Sequence, residues 1–422
     1  MTFKTISVIG LGYIGLPTAA VFASRKIKVI GVDIDQKTVD TINRGQIHIV
    51  EPDLDIVVHA AVTEGYLRAT TMAEAADAFL IAVPTPFKSG ITSDHEPDLS
   101  YIESASQSIA PVLKKGDIVI LESTSPVGAT EQMAAWLAQA RPDLTFPQTH
   151  GEESDIRVAH CPERVLPGQV LRELVQNDRV IGGMTPACSN VAIALYKVFV
   201  QGECVITNAR TAEMCKLTEN SFRDVNIALV NELSMICDEL GISVWELIRL
   251  ANRHPRVNLL QPGPGVGGHC IAIDPWFIVS QSPESSKLIR AARGVNDEKP
   301  EWVLRKINKA ISKVRDEKRK ATEDIVVACF GLSFKPNIDD LRESPSVEIV
   351  KKLSSVHAGR VLAIEPHVKD LPSSIGGQVE LVEMDYALGV ADIAVLLVDH
   401  REFGKNAPKD VEIVDTRGIW VA

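Results

Sequence analysis

The sequence predicts an α/β fold made of two parallel-sheet domains joined by a central helical domain that contains one long helix. Short β-branched runs alternate with helical patterns in the first third of the chain, and similar runs return after residue 320. Strands that alternate with helices indicate a parallel sheet covered on both faces. The length of 422 residues suits two or three domains that each bury a core.

Strands are expected wherever a short apolar run is rich in β-branched residues. In the first region such runs lie at 6–9, 29–32, 79–83 and 118–121. In the last region they lie at 325–331, 361–364 and 393–398. The long stretch between the two regions carries no comparable series of strands.

Helical spacing of apolar residues marks the central region. Leu229, Leu233, Ile236 and Leu240 predict one long helix over 211–240, with Gly241 as its C-terminal cap. A second helix is predicted from about residue 286 to 313. The charged run 315–320 that follows is expected to be a solvated linker or a helix end.

Composition and charge exclude several classes of protein. Apolar residues make up 45% of the chain and charged residues 23%, and 55 acidic against 44 basic residues give a net charge of −11. These figures exclude a disulfide-stapled miniprotein, a collagen and a disordered tail, and the acidic balance argues against a nucleic-acid partner. Seven single cysteines without metal-site spacing predict reduced thiols, no metal and a cytoplasmic location. Three glycines interrupt the apolar run 6–23, and no other run reaches the ~18 residues of a membrane span, so no membrane partner is expected.

A dinucleotide fingerprint links the first predicted strand to the first helix, in the run Gly10-Leu11-Gly12-Tyr13-Ile14-Gly15. Gly10 permits the tight turn, Gly12 lets the backbone approach a pyrophosphate, and Gly15 lets helix and strand pack closely. Asp33 ends the second strand, 18 residues after Gly15, where a carboxylate accepts ribose hydroxyls and repels a 2′-phosphate. The fingerprint predicts a Rossmann-like domain that binds NAD rather than NADP, and the alternative is a glycine-rich structural turn.

Hydroxyl side chains follow two further strands of this domain. Thr85, Thr124 and Thr130 are candidate cofactor contacts, because ligands of open parallel sheets lie outside the carboxyl ends of the strands. The alternative is that these are ordinary turn residues beside prolines.

Two constellations in the central region are suited to chemistry. Lys216, Asn220 and Arg223 share an arc of roughly 60° on the long helix and could hold an oxyanion or a phosphate, unless they form a solvated helix face. The glycine-rich run 261–268 can aim backbone N–H groups at a ligand, and it leads to Cys270 and Asp274. The alternatives are a buried structural thiol for Cys270 and a helix N-cap for Asp274, followed by Pro275.

These motifs, in this order, resemble the UDP-glucose/GDP-mannose dehydrogenase family over nearly the whole chain. The residues that carry the resemblance are Gly10 to Gly15, Ser123-Thr124-Ser125-Pro126-Val127, Cys161-Pro162-Glu163-Arg164, Lys216-Leu217-Thr218-Glu219-Asn220, Gly267-Gly268-His269-Cys270 with Asp274, and Phe334-Lys335 with Asp340, Arg342 and Ser344-Pro345. The resemblance implies an NAD-binding domain at 1–205, a central helical domain at 206–310 and a UDP-sugar-binding Rossmann-like domain at 321–422. The segments 252–258 and 270–277 resemble the branch that acts on 2-acetamido sugars, which makes glucose the less expected sugar.

The resemblance also implies a mechanism and a set of site residues. Cys270 would hold the C6 aldehyde of a UDP-sugar as a thiohemiacetal and then as a thioester, so that one site oxidises the alcohol twice. Lys216 and Asn220 would stabilise the oxygen at C6, Asp274 would orient the lysine or a water, and Thr124 with Glu163 would line the site of the hydrolytic water. The residues expected to bind the UDP-sugar are Arg164, Val165, Lys216, Asn220, Arg223, His254, Arg256, Gly267, Lys335 and Arg342.

Arg342 is also expected at the cofactor, together with Tyr13 and Ile14 of the fingerprint. The resemblance further implies a homodimer through the long helix, with Arg256 in its own or the neighbouring subunit's site. Alternative functions are oxidation of another UDP-sugar, a two-electron hydroxyacid dehydrogenase with no use for Cys270, or an NAD-binding regulator without activity.

Overall fold

The computed structural model describes residues 3–88, 95–166, 168–268, 270–404 and 407–420, and it divides into two compact units. Unit 1 ends at Glu219 and unit 2 begins at Asn220. This boundary falls inside one continuous helix, 209–240, which confirms the predicted long helix. Gly241 after it has φ +68°, the left-handed conformation expected of a glycine cap.

Unit 1 is an α/β structure. Its strands are β1 (Thr5–Ile9), β2 (Lys28–Val32), β3 (Leu67–Thr70), β4 (Ala78–Ile81), β5 (Ile118–Leu121), β6 (Arg157–His160), β7 (Arg179–Gly183) and β8 (Cys204–Asn208). Its helices are α1 (Gly15–Ser24), α2 (Gln36–Asn43), α3 (Leu54–Thr63), α4 (Ser100–Ile109), α5 (Ala129–Ala140), α6 (Pro147–His150), α7 (Val170–Gln176) and α8 (Pro186–Tyr196). All four strands predicted in this region are confirmed.

The strands of unit 1 form one sheet in the order β3-β2-β1-β4-β5-β6-β7-β8. Along β4, Leu80 packs into one apolar core while Phe79 and Ile81 pack into another, so both faces of the sheet are covered. One pairing corrects the prediction of a parallel sheet, because β6 and β7 are antiparallel. Neither β6 nor β7 was among the strands predicted from the sequence, so the sequence pattern could not show this reversal.

Unit 2 contains the rest of the long helix and a second α/β layer. Its helices are α9 (Ala209–Leu240, which begins in unit 1), α10 (Val244–Ala251), α11 (Asp274–Gln281), α12 (Lys287–Lys318), α13 (Pro345–Val356) and α14 (Met384–Val390). Its strands are β9 (Val327–Phe330), β10 (Val361–Ile364), β11 (Glu380–Leu381), β12 (Ile393–Leu396) and β13 (Glu412–Asp415), in the sheet order β11-β10-β9-β12-β13, all parallel. The predicted strands are again confirmed. The second helix is longer than predicted: it ends at Lys318, so the charged run begins as a helix end.

The face that α9 buries differs from the one its apolar spacing suggests. Leu229, Ile236 and Leu240 are exposed, whereas Asp224 and Asn231 are fully buried. Their partners lie on α12. The Arg293 guanidinium is 2.6 Å from the Asp224 carboxylate, and Asn231 donates to Asn296 at 2.9 Å. Because buried polar groups need partners in fixed positions, these contacts specify the rotation of α9 about its axis.

Within the described residues, no helix has the length and apolar character needed to cross a lipid bilayer.

Candidate active site

The glycine fingerprint forms a turn that fits a dinucleotide. Gly10 has φ +89°, and a Cβ there would lie 2.6 Å from the Ala82 carbonyl oxygen. A Cβ on Gly15 would lie 1.8 Å from the Gly10 carbonyl oxygen, so turn and helix touch. At Gly12, by contrast, nothing lies within 4 Å of the Cβ position. This open space at the start of α1 is the room that a pyrophosphate needs beside backbone N–H groups.

Asp33 follows β2 and is held at this turn by backbone donors. Its Oδ2 accepts from the Leu11 N–H at 2.9 Å, and its Oδ1 accepts from the Asp35 N–H at 3.0 Å. The carboxylate is half-buried and fixed in orientation. The arrangement matches what recognition of a ribose diol requires, and it makes the fingerprint more than a structural turn.

Replacing Asp33 by Asn is expected to weaken NAD binding about tenfold and to reduce the preference for NAD over NADP, because the charge that repels a 2′-phosphate is removed. Titration of the protein with each cofactor measures both effects. Asp35→Asn is the matched control, since Asp35 caps α2 through the Lys37 N–H and is exposed. Equal loss of discrimination in both variants would contradict the role given to Asp33.

The hydroxyl-bearing loops after β4 and β5 are joined. Thr85 donates its hydroxyl to the Thr124 carbonyl at 2.5 Å, and both residues are half-buried. Thr130 differs from them, because it is fully buried and its hydroxyl donates to Glu213 on α9 at 2.6 Å. The Thr130 hydroxyl is therefore engaged by a contact within the protein, and its contact with the cofactor stays a prediction. Sequence reasoning missed Glu213, whose partner lies 83 residues away.

Glu163 belongs to a buried charged cluster that the sequence did not indicate. Its carboxylate lies 2.8 Å from the Arg179 guanidinium, and both side chains are at least 94% buried. Glu122 joins the cluster by accepting the Tyr196 hydroxyl at 2.6 Å. Burial raises the pKa of Glu122 to about 7, against the opposing effect of Arg179. The ion pair with Arg179 thus holds the Glu163 carboxylate in position.

The residues next to Glu163 contact other parts of unit 1. Arg164 forms an ion pair with Glu219 on α9 at 2.7 Å, and Val165 packs against the main apolar core. Lys216, on the same helix, is half-buried. It lies one turn before Asn220, so the predicted helical stripe of polar residues exists on α9.

In unit 2, Asn220 donates to the Asp274 carboxylate at 2.5 Å, and both residues are buried. Asp274 is the first residue of α11 and Ile273 occupies the N-cap, so the N-cap alternative for Asp274 is wrong. Its backbone N–H donates to the Cys270 carbonyl at 2.9 Å, which places Cys270 in the turn that precedes α11.

Cys270 is exposed, which excludes the alternative of a buried structural thiol. Cys161 and Cys329 do have that character, since burial raises the pKa of each thiol to about 12. Cys270 therefore has the accessibility that a nucleophile requires. The neighbouring His269 lies outside the described residues.

The glycines before Cys270 permit close packing against the C-terminal layer. A Cβ on Gly267 would lie 2.5 Å from the Glu343 carbonyl oxygen, and one on Gly268 would lie 2.9 Å from the Phe334 ring. The glycine loop thus contacts the segment that carries Lys335 and Arg342. This steric need was not foreseen, because the pattern suggested only N–H groups aimed at a ligand.

A turn in unit 2 has the same backbone arrangement as the glycine fingerprint of unit 1. Gly331 has φ +90°, and the next N–H, of Leu332, donates to Glu365 at 2.7 Å, as Leu11 donates to Asp33. Here the carboxylate is buried and lies 3.1 Å from His400 Nε2. Glu365 and His400 therefore organise the loop that carries Lys335. The sequence signal that could have indicated this arrangement is the position of Glu365, an acidic residue directly after the predicted strand 361–364.

The remaining expected ligands lie at the surface of unit 2. Arg223, His254 and Arg256 are exposed. Arg342 is also exposed, and its guanidinium lies 2.5 Å from the Asp340 carboxylate. These positions are compatible with ligand binding.

Comparison with known families identifies all three regions. Residues 4–200 match the NAD-binding domain of the UDP-glucose/GDP-mannose dehydrogenase family, residues 210–298 match its central domain, and residues 328–422 match its UDP-binding domain.

Curated relatives align over the full chain. A UDP-N-acetyl-D-mannosamine dehydrogenase of Yersinia pestis is 66% identical over 423 residues, covering 100% of both chains. An NDP-N-acetyl-D-galactosaminuronic acid dehydrogenase of Ralstonia nicotianae is 65% identical, covering 100% of this chain and 97% of the relative.

Solved structures agree with these relatives. A UDP-D-ManNAc dehydrogenase of Pyrococcus horikoshii has a TM-score of 0.86 at 38% identity, covering 98% of this chain and 96% of that one. The native UDP-N-acetyl-mannosamine dehydrogenase of Staphylococcus aureus has a TM-score of 0.82 at 40% identity, covering 99% and 95%. The chain therefore belongs to the UDP-glucose/GDP-mannose dehydrogenase family and is an NAD-dependent oxidoreductase of UDP-sugars.

Proposed function

We propose that this protein oxidises UDP-N-acetyl-D-mannosamine at C6 to UDP-N-acetyl-D-mannosaminuronate in one four-electron reaction. The observation that carries the proposal is the exposed Cys270, in the turn just before the buried Asn220–Asp274 pair. Within this family of UDP-sugar oxidoreductases, an accessible thiol beside such a pair suits covalent capture of an aldehyde.

The first half of the reaction makes an aldehyde. Lys216 takes the proton of the C6 hydroxyl and stabilises the alkoxide as a hydride leaves the carbon. The Gly10–Gly15 turn and Asp33 would hold NAD, which would supply the hydride acceptor for each oxidation. The Cys270 thiolate then adds to the aldehyde carbon, and the oxygen gains a proton to give a thiohemiacetal.

The second half makes the carboxylate. Loss of a hydride and the hydroxyl proton converts the thiohemiacetal to a thioester, and water then displaces the sulfur. The balance is one alcohol, one water and two NAD to one carboxylate, two NADH and three protons. Asn220 donates to the oxygen at C6, and Asp274 orients Asn220. Thr124 and Glu163 line the path of the water, with Glu163 held by Arg179.

The UDP group is bound by cations and amides of the chain. Arg side chains suit this task because their planar fork can meet two phosphate oxygens. The residues proposed for this role are Arg164, Val165, Arg223, His254, Arg256, Gly267, Lys335 and Arg342.

The sugar assignment follows the relatives in the mannosamine branch, and the Ralstonia relative makes UDP-N-acetyl-D-galactosamine the second candidate. The test is to supply the UDP-linked N-acetyl-mannosamine, N-acetyl-glucosamine, N-acetyl-galactosamine and glucose separately and to compare kcat/KM. We expect the mannosamine derivative to give the highest value. A higher value for any other sugar would overturn the assignment.

The protein is further proposed to act in the cytoplasm and to supply a uronate for bacterial surface polysaccharide, such as enterobacterial common antigen. The seven cysteines, all within the described residues, form no disulfide, which supports a reducing compartment. The polysaccharide role follows from the family resemblance and the product's chemistry.

A homodimer through α9 is part of the proposal. Phe222, Leu229, Ile236 and Leu240 are 42–66% exposed and recur at intervals of seven, seven and four residues, so they form one apolar stripe. A contiguous stripe of this kind on a 32-residue helix suits a self-complementary helix contact.

Leu229→Glu is expected to convert the dimer to a monomer, because a carboxylate would be buried in the apolar contact. Sedimentation or light scattering measures the mass. Leu288→Glu is the matched control, since Leu288 is an exposed leucine on α12. An unchanged mass for the Leu229 variant would contradict the placement of the interface.

A further inference from the structure

Glu213 is a buried carboxylate with an unusual set of partners. It lies on α9 one turn before Lys216, and only 1% of its surface is exposed. Its Oε2 accepts from the Gly128 N–H at 2.6 Å, and its Oε1 accepts from the Thr130 N–H at 2.8 Å and the Thr130 hydroxyl at 2.6 Å. All three donors belong to the start of α5.

Glu213 therefore caps α5 from another helix. The N-cap residue of α5 is Gly128, which has no side chain to accept from the first N–H groups of the helix. The Glu213 carboxylate takes that place, where its negative charge also meets the positive end of the helix dipole. Burial raises the pKa of Glu213, and the hydrogen bonds from Thr130 and Gly128 oppose this effect.

The geometry of this contact is closely specified. Hydrogen bonds to a charged group are stronger than those between neutral groups, and unpaired buried polar atoms are costly. Three such bonds converge on one side chain, so a small shift of α9 relative to α5 would break them together. A second contact between the helices, the Arg210–Glu131 ion pair at 2.9 Å, is exposed and so contributes little.

The contact links two groups of the proposed active site. Residues 122–128 connect β5 to α5, and the Thr124 carbonyl in turn accepts the Thr85 hydroxyl. On the other side, Lys216 follows Glu213 by three residues on the same helix. Glu213 thus sets the axial and rotational position of the Lys216 turn relative to the Thr124 loop. A misplacement of about 1 Å at a reacting centre can cost about 10²-fold in rate.

We propose that Glu213 is a positioning residue that holds the Lys216 turn of α9 against the Thr124 loop, and that it governs the rate of oxidation without binding NAD or sugar. This inference rests on the proposed function, in which Lys216 acts on the C6 oxygen. It also explains Thr130, whose influence passes through Glu213 and not through direct contact with the cofactor.

The test compares Glu213→Gln and Thr130→Val with the wild type. In Glu213→Gln one carboxylate oxygen becomes an amide NH₂, which cannot accept the hydrogen bonds from the start of α5. In Thr130→Val the hydroxyl that donates to Glu213 is lost at nearly constant side-chain volume. We expect Glu213→Gln to lower kcat about 30-fold or more and Thr130→Val to lower it about tenfold, with KM for both substrates changed less than about threefold. Glu131→Gln is the matched control on the exposed helix contact and should keep kcat within about twofold of wild type.

The outcomes separate the inference from the proposed function. The kinetic comparison uses whichever UDP-sugar the wild type oxidises. The test of Glu213 therefore remains valid even if the sugar assignment is wrong. A kcat for Glu213→Gln within about twofold of wild type would overturn the inference, and so would a weaker NAD affinity at unchanged kcat. If the Gln variant lacks a cooperative unfolding transition, Thr130→Val decides by the same criteria.

Discussion

The Cys270→Ala variant is expected to form uronate at least about 10³-fold more slowly than the wild type, because the aldehyde can no longer be held as a thioester precursor. Binding of NAD is expected to be unchanged, since the fingerprint at Gly10–Gly15 and Asp33 lies in unit 1. Binding of the UDP-sugar should also be retained. Product formation is measured by separating UDP-uronate from UDP-sugar, and binding by calorimetric titration.

Cys204→Ala is the matched control for removal of a thiol. Cys204 is a half-buried cysteine of β8 with no place in the proposed chemistry. Its activity should stay near that of the wild type. Full uronate formation by the Cys270 variant would show that the thiol has no covalent role.

The Lys216→Ala variant is expected to lose about 10³-fold in kcat, because it lacks the amine that takes the alcohol proton and the ammonium, formed in that step, that stabilises the alkoxide. Lys216→Arg should recover only part of this loss, since an arginine keeps the charge but cannot give up a proton. Steady-state kinetics at saturating NAD and UDP-sugar measures both effects.

Lys287→Ala, which removes an exposed lysine at the start of α12, is the control for the change in charge. It should leave kcat unchanged. Equal activity of Lys216→Ala and Lys287→Ala would remove Lys216 from the mechanism. A large rise in KM for the UDP-sugar at constant kcat would instead assign it to binding alone.

Local signals in the sequence predicted much of this architecture. The fingerprint was readable because turn, helix and acid lie within 24 residues, from Gly10 to Asp33. The spacing of apolar residues predicted the long helix, but it did not predict which face of the helix is buried. Arg293, the partner that makes Asp224 a buried residue, lies 69 residues further along the chain. Periodicity records which residues are apolar and not which surface a distant segment covers.

The residues of the proposed site divide in the same way. Cys270, Lys216 and Asp274 were predicted from local patterns and from motifs that resemble the family's. Glu213, Arg179 and His400 were missed because each acts through a contact across the fold. Glu213 meets Thr130 83 residues away, and His400 meets Glu365 35 residues away. Supporting residues of this kind become visible only when the packing is known.

One site is proposed to oxidise the same carbon twice without releasing the aldehyde. The most direct measurement is the number of NADH molecules formed for each UDP-N-acetyl-D-mannosamine consumed, followed together with the appearance of the acid. The account predicts two NADH and one uronate for each sugar. One NADH for each sugar, accompanied by free aldehyde, would contradict it.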